Sequence, residues 1–357
     1  FGTTEDLKEL VQKAHERGMK VVLDAVYNHT GREFFAFADI LENGEKSKYR
    51  DWYFIDGFPL KSEWGEIPNF KCFGYYGGMP KLNLKNPEVE KYITDVACYW
   101  IKECDIDGWR LDVGDEISHF FWKNFRKAVK AVKKDLLIIG EIWHYAGDFL
   151  EGDEWDTVMN YPFYLNLIDL LADEKITVSQ FVQNLGYLKG RLHKNCYPLM
   201  WNLIDSHDTA RFLHLCNDNK KKQHLAAAFQ LLLPGMPMIY YGDEYAMPGA
   251  NDPDCRRGMY WDEEYQDKEM YEWYKRLIQV RKSHACIVEG ELAGIVTEDE
   301  EGTVVLIRKN GEETIAMIFN CSSSAKKFNE YTEKYNLLTE NTFDGNVEGF
   351  DAAVIVL

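Results

Sequence analysis

With 357 residues, 46% of them hydrophobic and 28% charged, the chain is long enough for one large domain with a small companion, and it has ample apolar side chains to bury. A formal charge of −18 argues against nucleic acid or an anionic membrane surface as partner and suits a neutral ligand. No apolar run is long enough to span a bilayer, and eight cysteines without paired spacing read as small buried hydrophobes in a reducing, cytoplasmic compartment rather than as a disulfide or zinc framework.

In chain order, Thr3 and Asp6 fit a helix start, with Leu7, Leu10, Val11 and Ala14 on one face and Gly18 as the stop. Residues 20–26 read as a β-branched buried strand that runs on to Asn28, His29 and Thr30. Residues 31–86 are rich in aromatics, glycine and turn formers with little helical period, and are too long for a plain loop, so they read as a small irregular subdomain inserted after that strand. Asn86 and Pro87 open the next helix, with Val89, Ile93, Val96, Trp100 and Ile101 as its buried stripe. A strand over 106–112 follows, then a helix near 118–134 and an apolar strand over 136–141. Further strands are expected at 155–160, 199–205 and 236–241, with helical segments up to about 192 and a last helix over roughly 268–284.

Strand and helix alternate throughout this region, which implies parallel strands joined by crossovers, six of them before residue 245. Beyond 286 the pattern becomes short alternating runs (303–308, 314–319, 352–357), a small antiparallel β domain.

Four carboxylates stand at strand ends: Asp24, Asp112, Glu141 and Asp208. Arg110 lies two residues before Asp112 and therefore on the same face of its strand, where its charge keeps Asp112 ionised. On that stretch alone a buried structural ion pair reads as well as a nucleophile. Side chains at successive strand ends converge on one mouth when such a sheet closes into a barrel, and a mouth holding several acids, Arg110, His29 and His207 is costly unless chemistry uses it. Two carboxylates flanking one bond suit glycoside hydrolysis: Asp112 as the ionised partner, and Glu141, with Trp143 two residues on and another acid nearby, as the one that holds a proton.

These segments resemble those of the α-amylase family, glycoside hydrolase family 13. The resemblance rests on Asp24-Ala25-Val26-Tyr27-Asn28-His29, on Gly108-Trp109-Arg110-Leu111-Asp112-Val113-Gly114-Asp115-Glu116, on Gly140-Glu141-Ile142-Trp143-His144 and on Ile204-Asp205-Ser206-His207-Asp208, in the family's order. Met79-Pro80-Lys81-Leu82-Asn83 and Asp252-Pro253-Asp254-Cys255-Arg256-Arg257 are similar to the neopullulanase, cyclomaltodextrinase and maltogenic amylase subgroup, and residues 235–244 resemble a further family segment.

The resemblance implies an α/β fold, a (β/α)8 TIM barrel at 1–30 and 87–285, with a domain B insertion at 31–86 and a C-terminal β-sandwich domain at 286–357. It implies retaining hydrolysis of α-1,4, and some α-1,6, links in maltooligosaccharides, cyclodextrins, pullulan or starch. Asp112 would be the nucleophile, Glu141 the acid/base and Asp208 the transition-state stabiliser. Arg110, His29 and His207 would bind the sugar at the cleavage point, Asp24 would orient Arg110, and Trp143, His144 and Arg211 would contribute near the cleaved linkage. No cofactor is implied. A structural calcium ion, as in many relatives, would find acids and amides in 24–43, although no dedicated loop spacing appears.

Two departures stand out. The chain starts at Phe1, at the helix before the family's third strand, so the first two barrel strands and the subgroup's N-terminal dimerisation domain are expected to lie elsewhere. That leaves a homodimer open for a full-length protein. In addition, Val113-Gly114-Asp115 stands where Val-Ala-Asn is common, adding an acid beside the nucleophile. Two rival readings remain: a non-catalytic α-glucan-binding module on an incomplete scaffold, and a metal-dependent hydrolase using Asp24, His29, His207 and Asp208.

Overall fold

The computed structural model describes residues 2–61, 67–193 and 195–357. It divides into two compact units, Phe1–Ile142 with Ala146–Val158, and Trp143–Tyr145 with Met159–Leu357.

The first unit is built on four parallel strands hydrogen-bonded in chain order: β1 (Val22–Ala25), β2 (Gly108–Leu111), β3 (Leu137–Gly140) and β4 (Thr157–Val158). Helix α1 (Thr4–Glu16) starts at the expected capping box, in which the Thr3 and Asp6 side chains each bond the other's backbone N–H. After the insertion, Asn86 caps α3 (Pro87–Cys104) by accepting the Glu88 N–H. The buried stripe of α3 is Val89, Ile93, Ala97, Ile101 and Cys104, whereas Val96 and Trp100 are only half-buried. Ser118 caps α4 (His119–Val132), which buries Phe121, Trp122, Phe125 and Val129 at helical spacing.

The strand expected at 155–160 pairs over only two residues, and a side chain is the reason. The Asp156 carboxylate accepts the Ile138 N–H at 2.9 Å and binds Arg126 and Lys130 of α4 at 2.7 and 2.8 Å. It thus takes the place of a backbone rung and ties sheet to helix.

The insertion is more regular than its composition suggests. It holds a helix, α2 (Phe35–Asn43), whose Phe37 packs on Tyr53 and Phe70 at centroid distances of 5.0 and 5.2 Å. Residues 62–66 of the expected insertion lie outside the described residues.

The second unit contains α5 (Tyr161–Leu167), which runs into a wider π turn at Ile168–Ala172, then α6 (Val178–Arg191), β5 (Trp201–Asn202), α7 (Phe212–Leu215), α8 (Lys220–Leu232), β6 (Met236–Pro237) and α9 (Lys268–Ser283). Strands β5 and β6 pair in parallel. Helix α8 is buried on all sides along Leu225–Leu232, as an apolar-all-round helix must be.

A six-stranded antiparallel sheet follows, centred on β7 (Glu291–Glu298), β8 (Thr303–Asn310), β9 (Glu313–Asn320) and the last strand Asp351–Val356. Its side chains alternate between two apolar layers. Val304, Leu306, Met317 and Val354 join the core of α8 and α9. Val305, Ile318, Ala353 and Ile355 meet Phe328, Phe343 and Val347 of the covering segment, which carries two short ladders, Lys326–Lys327 with Asn346–Val347 and Tyr335–Asn336 with Asn341–Thr342.

One close approach fixes the carboxyl end of β3. A Cβ at Gly140 would lie 2.2 Å from Cε3 of the Trp155 indole, itself stacked flat on Phe149 at 4.0 Å. Gly140→Ala is therefore expected to destabilise the protein by about 1–3 kcal/mol through overpacking, read as a lower denaturant midpoint. An unchanged midpoint would show that the indole can move aside.

Candidate active site

The expected cation lies at the centre of the first unit's site. Asp24 and Arg110 are register partners on adjacent strands, so the carboxylate and the guanidinium face each other across the β1–β2 ladder. Arg110 Nη1 donates to Asp24 Oδ1 at 2.9 Å and to Asp112 Oδ1 at 2.8 Å. Nη2 lies 3.0 Å from Glu141 Oε2, an ion pair lacking the alignment of a hydrogen bond. Arg110 and Glu141 are buried, while the Asp24 side chain is 53% exposed on the edge strand. Burial works against the Arg110 charge, but Glu141, Asp24 and Asp112 outweigh it and hold the guanidinium above its ordinary range. Asp112 and Glu141 each touch a terminal nitrogen of one planar group, so their carboxylates lie within a nanometre of each other.

The backbone between them is shaped for the same purpose. Val113, directly after Asp112, has φ of 47°, a left-handed conformation that a β-branched residue rarely adopts and that costs on the order of 1–3 kcal/mol. In that conformation its N–H donates to Glu141 Oε2 at 2.9 Å. Gly114 follows, and a Cβ there would sit 2.8 Å from Cζ2 of Trp155. The glycine that departs from the family's common alanine is thus matched to an indole that also packs against Gly140, next to Glu141.

Glu141 was expected to hold a proton beside Trp143. Its contacts in the structure include a guanidinium and a backbone amide, both of which favour the carboxylate. Trp143 instead belongs to the second unit, where it stacks on Tyr161 at 3.9 Å and remains 40% exposed. His144, next to it, is exposed. His29 is half-buried and stacks on Phe73 of the insertion at 5.3 Å. Burial pushes His29 below its ordinary value despite the pull of Asp112 and Glu116, which leaves it a neutral imidazole near pH 7. Lys81 of the insertion donates to Glu116 Oε2 at 2.7 Å, fastening the insertion to the loop after Asp112.

In the second unit, His207 Nε2 lies 3.2 Å from Asp208 Oδ2. Arg256 donates to Asp208 Oδ1 at 3.0 Å and to the His207 carbonyl at 2.9 Å. The sequence singled out the stretch holding Arg256 but gave it no role, because nothing in a spacing of 48 residues shows that a loop folds back. Arg211 corrects an expectation. It is fully buried, so it cannot contact a sugar; it pairs with Asp243 at 3.2 Å and lies over the Tyr240 and Tyr241 rings. Asp205 Oδ2 accepts the Phe212 N–H at 2.7 Å, and burial, with the two acids beside each other, favours protonation of the pair. This cluster anchors both ends of the 206–211 loop.

Among the described residues, no group of three or more His, Cys, Asp or Glu side chains is placed to hold a metal ion. Asp39, in the stretch considered for calcium, is bonded by Asn43 and Ser47. Two of the four donors needed by the metal-hydrolase reading are turned to arginines, Asp24 to Arg110 and Asp208 to Arg256.

The α-amylase catalytic domain pattern matches residues 1–266. The chain is 47% identical over 325 residues to a cyclomaltodextrinase of Geobacillus thermopakistaniensis, covering 91% of this chain and 55% of the relative. It is 42% identical over 321 residues to neopullulanase 2 of Thermoactinomyces vulgaris, covering 90% and 54%. A solved cyclomaltodextrinase superposes with a TM-score of 0.94 at 38% identity, covering 99% of this chain and 63% of that one. The chain belongs to the α-amylase family, and its fold class is that family's α/β barrel followed by an antiparallel sheet domain. It spans little more than half the length of these curated relatives.

Two outcomes check the site. Arg110→Ala leaves Glu141 buried without its cation and is expected to cost about 3–5 kcal/mol in denaturant unfolding; a loss under 1 kcal/mol would mean the acids do not depend on it. The second concerns pH. Burial pushes Asp205 up to about 6 from 3.8, and burial together with Asp205 raises Asp243. A raised carboxyl stabilises the fold fully below its unfolded value and loses that contribution as pH rises through the folded value, so stability should fall between about pH 4 and 6. Asp205→Asn should flatten that fall in a series of thermal midpoints against pH, and an unchanged slope would contradict a raised Asp205 carboxyl.

Proposed function

We propose that this chain carries the catalytic machinery of a retaining glycosidase acting on α-1,4 glucosidic bonds, with some α-1,6 cleavage, in maltooligosaccharides, cyclodextrins or pullulan. The observation that carries the reading is the single guanidinium of Arg110 bound to Asp112 and Glu141 at once. Relatives and a structural neighbour named as cyclomaltodextrinase and neopullulanase support the substrate class.

In this reading Glu141 protonates the glycosidic oxygen as Asp112 attacks the anomeric carbon. The C–O bond to the leaving chain breaks and a glycosyl ester forms on Asp112. A water then gives its proton to Glu141 and its oxygen to the anomeric carbon, releasing Asp112. Arg110 holds the Asp112 carboxylate in place for the attack. Sugar filling the cleft removes water from the buried Glu141 carboxyl and favours its neutral form. Once the proton has left, Arg110 and the Val113 amide stabilise the carboxylate that remains. Asp208, oriented by Arg256, offsets the positive charge developing on the ring, and His29 and His207 bond its hydroxyls.

The reaction needs no cofactor. The eight cysteines, all unpaired in the structure, support a reducing, cytoplasmic setting. A non-catalytic glucan-binding role has no observation in its favour, because the three acids and the cation all stand.

Proton NMR of fresh maltotriose hydrolysate should show the α-anomer first, and Asp112→Asn should lower kcat by roughly 10⁴-fold or more. A β-anomer first product would make the mechanism inverting, and near-normal turnover by the variant would remove Asp112 as nucleophile.

A further inference from the structure

Asp112 and Glu141 each have a glycine in the adjoining backbone, and both glycines touch one side chain. Gly114 follows Asp112 by two residues, and Gly140 directly precedes Glu141. A Cβ at Gly114 would lie 2.8 Å from Cζ2 and 3.1 Å from Cη2 of Trp155, whereas one at Gly140 would lie 2.2 Å from Cε3 and 2.4 Å from Cζ3. The two glycines therefore meet different edges of one six-membered ring. The Glu141 carbonyl oxygen would lie 3.6 Å from the same Gly114 Cβ, so the two segments adjoin beside that ring.

The indole is firmly held. It is 1% exposed, lies flat on Phe149 and meets Trp122 edge-on at 6.0 Å. Its backbone is pinned on both sides: Asp156 takes the Ile138 N–H, Arg126 and Lys130, and the Glu154 carbonyl accepts from Arg126 at 3.1 Å. Trp122 Nε1 donates to the Gly114 carbonyl at 2.8 Å, which holds the loop after Asp112 against the same rings. The Trp155 N–H is buried without a hydrogen-bond partner among the described residues. A phenylalanine would avoid burying that donor, so what the indole contributes is its width.

Width matters here because both acids lie just past strand ends, β2 at Leu111 and β3 at Gly140. Ladder hydrogen bonds fix the strands and leave the residues beyond them to be placed by packing. A retaining mechanism needs its two carboxyl groups about 5–5.5 Å apart, and a misplacement of about 1 Å can cost on the order of 10²-fold in rate.

We propose that Trp155 is a positioning residue for the glycosidase reaction: its six-membered ring, wedged between Gly114 and Gly140, sets the spacing of Asp112 and Glu141. Glycine stands at 114 because the ring fills the place of a Cβ. This rests on the glycosidase reading above.

The test is a double-mutant cycle in the full chain. It compares kcat and KM for maltotriose in the unaltered protein, Trp155→Phe, Gly114→Ala and the double variant, with denaturant midpoints as the folding control. Each single change should lower kcat about 10- to 100-fold and move KM by less than about twofold, because it alters the geometry of attack rather than the binding of sugar. The double variant should recover about tenfold over Gly114→Ala, since the narrower ring admits the new Cβ. Gly114→Ala leaves the indole in place and decides alone should Trp155→Phe not fold. Unchanged kcat in the single variants, a rise in KM alone, or a double variant whose loss is the product of the single losses would overturn the proposal. Should the unaltered chain leave maltotriose intact, the catalytic reading fails by itself, and crystal structures of the unaltered chain and Gly114→Ala decide the wedge. A carboxyl separation changed by about 0.5 Å or more upholds it, and an unchanged one refutes it.

Discussion

Three carboxylates around one buried guanidinium set the terms for the first unit. Asp24, Asp112 and Glu141 could not share so small a volume as bare anions, because withdrawing Asp112 and Glu141 from water is costly and repulsion among all three acids adds to it. Arg110 answers all three with two terminal nitrogens, which its planar, permanently charged fork allows and a lysine would not. Strand register does the placing: Asp24 pairs with Arg110 across the β1–β2 ladder, and the Glu141 N–H donates to the Leu111 carbonyl one strand over. The arrangement is therefore a property of the sheet before it is a property of any substrate.

Local irregularities then sharpen what the sheet provides. Left-handed Val113 turns an amide onto Glu141, and Gly114 and Gly140 leave room for the Trp155 indole beneath both acids. Lys81 joins the insertion to the loop that follows Asp112. In the second unit the buried Arg211–Asp243–Asp205 cluster fixes the loop carrying His207 and Asp208, and Arg256 covers its outer side. Buried acids gather at these two loops, whereas the antiparallel sheet rests on apolar alternation and buries one cation, Arg308, which donates to the Val288 and Gly290 carbonyls.

Much of this was legible in the sequence, and what was not has physical reasons. The capping box at Thr3 and Asp6 and the caps at Asn86 and Ser118 are local chemistry, and all three helices begin where expected. The Arg110–Asp112 pair follows from period two within one strand. Strand lengths did not follow, because Asp156 replaces a ladder rung with its side chain. Helix α2 escaped notice among the aromatics of the insertion, where its period is short. Arg211 looked like a cleft residue from its place beside His207 and Asp208, but side-chain direction in a tight loop is not encoded by spacing, and it turns inward. Arg256 and the indole that meets both Gly114 and Gly140 depend on how distant segments meet, which a single chain of letters does not display.

The central claim is that Asp112, held in place by Arg110, bonds covalently to the sugar. The most direct measurement is mass spectrometry of peptides from protein treated with a 5-fluoro maltosyl fluoride, a substrate that forms the glycosyl ester quickly and loses it slowly. The account predicts one added maltosyl group on the peptide spanning 106–116, located at Asp112. A label on Glu141, on Asp208 or on no residue, under conditions where the enzyme turns over maltotriose, would contradict it.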